Sequence, residues 1–443
     1  MRKFTSTLRH SIKGAWRLAQ TGRILSTTGL FWLLGDRPPA PRLLRQTFEK
    51  LGTTYIKLGQ FIASSPSLFP QAYVEEFQHC LDNTPAIPFA VMERLLKDNL
   101  PLPLSSLFAS IDPQPLATAS IAQVHAARLL DGTDVVIKIQ KPNVKDLLHT
   151  DLNFLYVGAR IIEWLAPNLS MASLSSVIEE IQSSMLAECD FRLEAQNLEE
   201  FSQCIERFHL TGVVAPRFYP QACSEKVLTM QRLYGLPFTD LEAVKQHSQN
   251  PQQNLLHALN AWMTTLLMGH SFHADLHAGN LLVLTDGRVG FIDFGIVGKI
   301  RPQIWGAITQ LVQAISSQDF VAMAQAMVTI GVTKDSVDIE ALASSIEQLY
   351  ASFHQLNQVG EVTQADNQIN ALLMQTVAIG KQHGIHFPRE FALLMKQILY
   401  FDRYLQLLAP DLDLFSATGL SDLLAANSNP QNQALLSSDP LRQ

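Results

Sequence analysis

The sequence predicts an α+β fold in two lobes, and three observations carry that expectation. The order of elements runs from a helical leader through a small strand-rich stretch to a mostly helical stretch with one embedded hairpin. Two Asp-Gly pairs, Asp131-Gly132 and Asp286-Gly287, stand between apolar runs, where such pairs favour two-residue hairpin turns. Hydrophobic residues make up 47% and charged residues 16% of the 443 positions, enough apolar side chain for a sizeable core. The expected organisation is a basic leader and linker (1–41), a helical extension (42–110), a strand-rich lobe with inserted helices (111–232), a helical lobe holding the second hairpin (233–426) and a polar tail (427–443).

The leader carries Arg2, Lys3, Arg9, Lys13, Arg17 and Arg23 and no acid before Asp36. Such a segment suits an amphipathic helix on a membrane surface, an organellar transit peptide or a simple basic arm. No run approaches the roughly 18 apolar residues of a membrane span; Leu30-Phe31-Trp32-Leu33-Leu34 is far too short. No secretory signal is visible either. A cytoplasmic protein held peripherally at a membrane is expected, or a mitochondrial one if the leader is a transit peptide. The net charge of −7 argues against a general nucleic-acid binder. Cys80, Cys189, Cys204 and Cys223 lack metal-ligand spacing and read as reduced thiols.

Along the chain, the proline cluster Pro38-Pro39-Ala40-Pro41 reads as a linker, residues 42–82 as helical and Phe89–Asn99 as a short helix. Strands are expected from Leu116, with Gln123–Leu129 and Asp134–Gln140 as a hairpin. Two helices, 145–166 and 173–208, precede a strand at Lys226–Met230 and a connector at Leu233-Tyr234-Gly235. A helix at Gln252–Met268, a hairpin over 281–292 and helix after about residue 300 complete the expectation.

The most informative segment is His273-Ala274-Asp275-Leu276-His277-Ala278-Gly279-Asn280, followed by the second hairpin and Ile292-Asp293-Phe294-Gly295. A two-residue turn at Asp286-Gly287 would set Asn280 opposite Asp293, an amide beside a carboxylate. Magnesium favours one or two such oxygens plus phosphate oxygens over a closed protein cage. Asp275 would then lie near the transferring phosphate. Asp-x4-Asn, a hairpin and Asp-Phe-Gly in this order form the kinase signature.

A kinase also needs a strand lysine for the α/β-phosphates and a helix acid to hold it. Val135-Val136-Ile137-Lys138-Ile139 offers the lysine, interrupting an apolar run. Where kinases place a glycine-rich phosphate loop, this chain has Leu116-Ala117-Thr118-Ala119-Ser120-Ile121-Ala122, and alanine resists the positive φ that glycine accepts. In the expected helix 173–208, Asp190 and Glu194 are four apart and would share a face. Either a cation such as Lys138 or a metal relieves them, or they form a solvated face offset by Arg192.

Together these segments resemble the UbiB family of atypical kinase-like proteins, the ADCK/AarF group. Its marker, Lys-x-Gly-Gln in a helical extension, stands here as Lys57-Leu58-Gly59-Gln60. The alanine-rich loop, the Glu-x-Asp of Glu188 and Asp190 with nearby Glu194, the His-Ala-Asp loop and the late stretch from Phe387-Pro388-Arg389-Glu390 to Pro410-Asp411 also match, over roughly residues 45–415. The resemblance implies a protein-kinase-like fold whose extension covers the active site, ATP bound with Mg2+, and a link to ubiquinone or another isoprenoid-quinone lipid pathway, with quinone-pathway lipids or lipid-processing proteins as partners. In that family ATP hydrolysis is better supported than protein phosphorylation. Lys57 and Gln60 would be gatekeepers of the nucleotide site. Ala117, Ala119, Ser120 and Ile121 would form the phosphate loop and Met230 would sit at the hinge. Lys138 would pair with Glu188, Asp190 or Glu194. Asp275 would act in catalysis, with Asn280 and Asp293 on the metal.

The chain departs from the family pattern at Ala122 (usually Gly), at Leu276 and Ala278 (usually Pro) and at Gln231 (often an acid). The C-terminal spanning segments of some members are absent, so membrane association would be peripheral. Two alternatives stand beside an ATPase-type kinase. The string Asp275 to Val283 with Ile292-Asp293-Phe294-Gly295 also resembles aminoglycoside and choline kinases, although these small-molecule phosphotransferases lack the Lys-x-Gly-Gln extension. A nucleotide-binding pseudokinase scaffold would keep the fold without turnover. A conventional protein kinase ranks lower, because Ala274 replaces the usual Arg and no Ala-Pro-Glu follows Gly295.

Overall fold

A computed structural model of the chain describes residues 21–28, 35–63, 69–79, 85–165, 174–333, 336–358 and 375–409, apart from the single positions 25, 36, 78, 249, 270, 377 and 381. The leader to residue 20, Leu30–Leu34, Cys80, Pro410-Asp411 and the polar tail lie outside the described residues. Two compact units divide the chain: residues 1–195 with 218–232, and 196–217 with 233–443. No described helix is long and apolar enough to cross a membrane.

In the first unit the expected helical stretch 42–82 comes in pieces. Helix α1, Ala40–Leu51, starts with Pro41 in its first turn, where the missing N–H costs nothing. It ends at Gly52, whose φ of +91° suits only glycine. Helix α2, Thr53–Ala63, buries Tyr55, Ile56, Leu58, Phe61 and Ile62. Helix α3, Gln71–Phe77, is joined to α1 by Arg45, which reaches Glu76 at 2.8 Å and Glu49 at 2.6 Å. Phe48 packs edge-on against Tyr55 and Phe77. Helix α4, Phe89–Asn99, falls where the sequence placed it and buries Met92 and Leu96 completely.

After the short α5, Leu104–Leu107, strand β1 spans Phe108–Thr118 and so begins eight residues before the expected start. Pro113 and Pro115 hide it from a propensity reading. They are tolerated because β1 is an edge strand with register shifts on both sides of Pro115. Strands β2 (Ala122–Leu129) and β3 (Asp134–Gln140) follow, while β4 (Val213–Val214) belongs to the second unit and β5 (Val227–Gln231) returns to the first. The sheet order is β1-β2-β3-β5, antiparallel throughout. Val135, Ile137 and Ile139 of β3 are fully buried in a core shared with Met92 and Leu96.

Helix α6 is Val144–Leu165. The expected helix 173–208 is two, α7 (Leu174–Ala187) and α8 (Phe191–Arg207), broken at Glu188-Cys189-Asp190. The break has local causes. The Asp190 carboxylate accepts from the Arg192 backbone N–H at 3.1 Å and so starts a new helix. The Gln140 side chain donates to the Cys189 carbonyl at 2.7 Å, and the Phe191 N–H donates to the Glu225 carbonyl at 2.9 Å. Backbone groups released by the break are thereby satisfied.

The second unit holds a sheet of order β4-β9-β8-β6, with β6 at Gly235–Pro237, and helices α9 (Leu241–His247) and α10 (Pro251–Gly269). Strands β7 (Ser271–His273), β8 (Leu281–Leu284), β9 (Val289–Phe291) and β10 (Val297–Lys299) carry the signature segment, and β7 pairs with β10. Helices α11 (Pro302–Ser317) and α12 (Phe320–Ile330), strand β11 (Val332–Thr333), helix α13 (Ile339–Gln358), strand β12 (Ile385–His386) and helix α14 (Arg389–Leu408) follow. The region after residue 300 is therefore helical except for the β11–β12 pair. Trp262 centres the core: its ring lies 5.9 Å from Phe272 and 5.3 Å from Phe401, and its indole N–H donates to the His273 carbonyl at 3.0 Å.

Both Asp-Gly hairpins have three-residue loops, not the expected two. Leu129 bonds Thr133 around Leu130-Asp131-Gly132, and Leu284 bonds Arg288 around Thr285-Asp286-Gly287. A two-residue type I′ turn needs positive φ at both central residues; here only the glycines have it, +87° at Gly132 and +85° at Gly287. Asp131 and Asp286 instead accept from the N–H two residues on, each at about the same distance, 2.9 and 3.1 Å. A Cβ on Gly287 would meet no atom within 4 Å, so only backbone strain opposes it. Gly287→Ala is expected to lower unfolding free energy by about 1 kcal/mol in urea titrations, and an unchanged midpoint would contradict the assigned φ.

Candidate active site

In the first unit, Lys138 sits in mid-β3, paired with Val124 of β2 and Leu228 of β5. Its side chain is 11% exposed, and the ammonium donates to both oxygens of Glu194, at 2.8 and 2.9 Å. The Phe191 ring lies 5.5 Å beneath it. Of the three acids open to Lys138, Glu194 is the one that holds it. Glu188 instead takes Lys57 of α2 at 2.6 Å, and Asp190 takes the Arg192 guanidinium at 2.8 and 2.6 Å. Asp190 and Glu194 thus do not form a strained like-charge pair: Asp190 precedes α8, and each has its own cation. The Arg192 guanidinium holds the Asp190 carboxyl below its usual range.

Gln60 is half-buried one turn after Lys57 on α2. Met230 is buried on β5 opposite Val136. The alanine-rich segment turns tightly from β1 to β2, closed by the Ala119 N–H on the Ala122 carbonyl at 2.9 Å. Ala117 is exposed, Ala119 half-buried, and Ser120 and Ile121 are buried. Burial pushes the Cys189 thiol, beside Glu188, up to about 11, so it is no nucleophile at neutral pH.

In the second unit the corrected register sets Leu281 opposite Phe291 and joins the Ile292 N–H to the Asn280 carbonyl at 3.0 Å. Asn280 therefore faces Ile292, and Asp293 comes one residue later, at φ +62°. That left-handed conformation turns the chain out of β9 and exposes the Asp293 carboxylate, which accepts from the Gly295 N–H at 3.3 Å. The Asn280 amide N–H donates to the Asp275 carbonyl at 2.9 Å. A carbonyl can only accept, so this bond fixes the amide and leaves its oxygen as the ligand-type atom.

His273 and His277 shape the loop. The His273 ring accepts from the Asp275 N–H and lies 3.3 Å from the Ile292 carbonyl, to which its other nitrogen donates. His277 accepts from the Gly279 N–H at 3.0 Å and starts the short 3-10 turn Ala278–Asn280. Asn197 donates to the Phe294 carbonyl at 2.9 Å, and Phe201 packs on Phe291 and Phe294.

Sequence reasoning missed two residues of α14. Lys396 binds the Asp275 carboxylate at 2.9 Å. Gln397, fully buried, accepts from the Leu276 N–H and donates to the Ala274 carbonyl, both at 2.9 Å. The match of the late helix to the family pattern pointed to this region but to no residue.

Among the described residues no three His, Cys, Asp or Glu side chains gather as a closed metal site. The oxygens of Asn280 and Asp293 fit magnesium, which takes one or two protein oxygens and fills its sphere with phosphate and water. Among the described residues the buried Ser120 hydroxyl has no hydrogen-bond partner, an orphan donor in the turn where a phosphate loop would lie.

Two predictions follow from burial. Lys138→Met strands Glu194 without its cation and is expected to cost about 3–5 kcal/mol in chemical unfolding, while adding Glu194→Leu recovers most of it. A loss below about 1 kcal/mol for the single variant would show the pair to be solvated. Burial also lowers the His273 pKa from its ordinary value. The unfolded chain then binds that proton more readily, so the neutral ring's contribution is complete above about pH 6.5 and is lost as pH falls below it. Unfolding free energy between about pH 7.5 and 5.5 should therefore fall less steeply in His273→Gln than in the wild type.

Residues 79–327 match the family described as the ABC1 atypical kinase-like domain. An aarF domain-containing protein kinase of Arabidopsis thaliana, named as chloroplastic, is 45% identical over 86% of this chain and 74% of its own length. A probable protein kinase UbiB of Tolumonas auensis is 29% identical over 87% of this chain and 71% of its own. A Mycobacterium tuberculosis protein solved in complex with erythromycin shares the fold at a TM-score of 0.54 and 21% identity, over 95% of this chain and 100% of that one. A buried strand lysine held by a helix carboxylate, an Asp-x4-Asn loop and an Asp-Phe-Gly turn thus occur in a chain that belongs to the ABC1 atypical kinase-like family, which includes proteins named aarF and UbiB.

Proposed function

We propose that this protein is a magnesium-dependent ATPase or phosphotransferase of the atypical kinase type that serves ubiquinone or another isoprenoid-quinone lipid pathway. The observation that carries the reading is Lys138 held by both oxygens of Glu194, the strand-lysine and helix-acid pair that kinases use to grip the α/β-phosphates. The quinone link rests on relatives named UbiB.

In this reading Lys138 neutralises phosphate charge, and the Ser120 hydroxyl and the alanine-rich turn line the phosphates. Asn280 and Asp293 would hold magnesium, which when bound would supply positive charge against the phosphates. Asp275 orients a water or hydroxyl and takes its proton as the new oxygen–phosphorus bond forms, and the bond to ADP breaks with its electron pair leaving on ADP. Lys57, paired with Glu188, gates the site together with Gln60. The acceptor would be a quinone-pathway lipid or a lipid-processing partner at a membrane surface.

The test compares magnesium-dependent ATP binding and hydrolysis by the wild type, Asp293→Ala and Lys57→Ala, with and without anionic liposomes. Hydrolysis lost in Asp293→Ala and raised by lipid is the expected result, and a changed rate in Lys57→Ala would support the gate. A wild type that binds ATP but hydrolyses it no faster than Asp293→Ala would replace the enzyme with a nucleotide-binding scaffold. Turnover of small hydroxyl acceptors in preference to lipid would favour the small-molecule phosphotransferase.

A further inference from the structure

The segment His273 to Asn280 contains no lysine or arginine. Its two histidines are occupied with backbone groups, His273 at Asp275 and Ile292, His277 at Gly279. The cation at the Asp275 carboxylate comes instead from α14, more than a hundred residues later, as Lys396 at 2.9 Å. Its neighbour Gln397 takes the N–H of Leu276 and the C=O of Ala274, the residues on either side of Asp275. Three bonds from two adjacent side chains therefore fix one carboxylate: two hold the backbone that carries it, and one holds its Oδ1 and so its rotation.

We propose that Lys396 and Gln397 are positioning residues for Asp275, which makes α14 a working part of the phosphoryl-transfer machinery. The proposal rests on the reading of Asp275 given above. A purely structural role accounts for Gln397 better than for Lys396. The helix is already anchored by Phe401 against Trp262 and by buried Leu394 and Leu405. The Lys396 and Asp275 side chains are 21% and 35% exposed, and ion pairs that meet solvent add little stability. A misdirected nucleophile-orienting group, by contrast, slows chemistry steeply, because a displacement of about 1 Å can cost about 100-fold in rate.

The experiment measures ATP affinity, kcat, KM and thermal unfolding for Lys396→Met, Lys396→Arg, Asp275→Asn and the double variant Lys396→Met/Asp275→Asn. For Lys396→Met the expected outcome is kcat lowered about 10- to 100-fold, with ATP affinity and melting temperature near wild type. Lys396→Arg should restore part of the rate, and the double variant should be no slower than Asp275→Asn alone, since residues acting as a unit are not additive. An unchanged kcat in Lys396→Met, or rate losses that multiply in the double variant, would overturn the proposal. Amide exchange at Leu276 supplies a readout that needs no turnover. Gln397→Leu and Lys396→Met should both speed it, with the sheet amides unaffected. If the wild type hydrolyses no ATP, the enzymatic reading fails, and the exchange data alone then decide: faster exchange keeps the clamp, and unchanged exchange removes it.

Discussion

An ammonium group in the middle of an apolar sheet is tolerable only if a carboxylate is brought to it, and much of the first unit follows from that requirement. Lys138 is flanked along β3 by fully buried Ile137 and Ile139. Leaving its charge unpaired there would cost several kcal/mol, so Glu194 must arrive with both oxygens. Glu194 lies in the first turn of α8, and α8 can start at Phe191 only because the preceding helix stops at Ala187. The stop is enforced from outside the helices, by the Gln140 side chain of β3 on the Cys189 carbonyl and by the Phe191 N–H on the carbonyl of Glu225, in the turn before β5. One residue of β3, two positions beyond Lys138, thus helps to place the partner that Lys138 needs. The same break turns Glu188 towards Lys57, so the Lys-x-Gly-Gln helix and the strand lysine are each neutralised by a different acid of one short segment.

The second unit solves a different problem. Its signature loop exposes functional groups and therefore cannot be fixed by burying them. Its backbone is held instead by side chains that are themselves buried: Trp262 on the His273 carbonyl, Gln397 on both neighbours of Asp275, and Asn280 on the Asp275 carbonyl. Each is a directional bond in a low-dielectric setting, where hydrogen bonds are strong and unsatisfied partners costly. A carboxylate on such a loop keeps a defined direction while remaining open to solvent and ligand.

What the sequence made legible divides along the same physical lines. Local chemistry was readable: the helix at Phe89–Asn99, the strand around Lys138 and the two glycine turns stand where short-range patterns put them. The loop lengths were misread, because Asp-Gly serves either a two-residue turn or a three-residue loop with glycine alone at positive φ, and Asp131 and Asp286 choose the second by capping the next N–H but one. The choice shifts the Asn280 register by one and replaces an Asn280–Asp293 pairing with a left-handed turn at Asp293. Long-range assignments were not readable from residue types alone. Three acids within seven residues were open to Lys138, and only the helix break, set by Gln140 and Glu225 from other elements, selects Glu194. Lys396 and Gln397 look like ordinary polar residues on an amphipathic helix. Their partners lie 121 to 123 positions earlier, a separation that no spacing rule reaches.

The two readable lysines and the unreadable one also differ in what holds them. Lys138 is locked by both oxygens of a buried carboxylate, so its position is an outcome of folding. The Lys57 and Glu188 side chains are 18% and 13% exposed, more open than the 11% and 5% of Lys138 and Glu194. Lys396 is paired with Asp275, which couples α14 to the group that, in the proposed function, would receive a proton. A graded set results, from a nearly enclosed pair at Lys138 through a partly enclosed one at Lys57 to one open to solvent at Lys396. For the phosphoryl transfer proposed above, charges held in place in this way would matter, since such a barrier is lowered mainly by charges placed before the reaction begins.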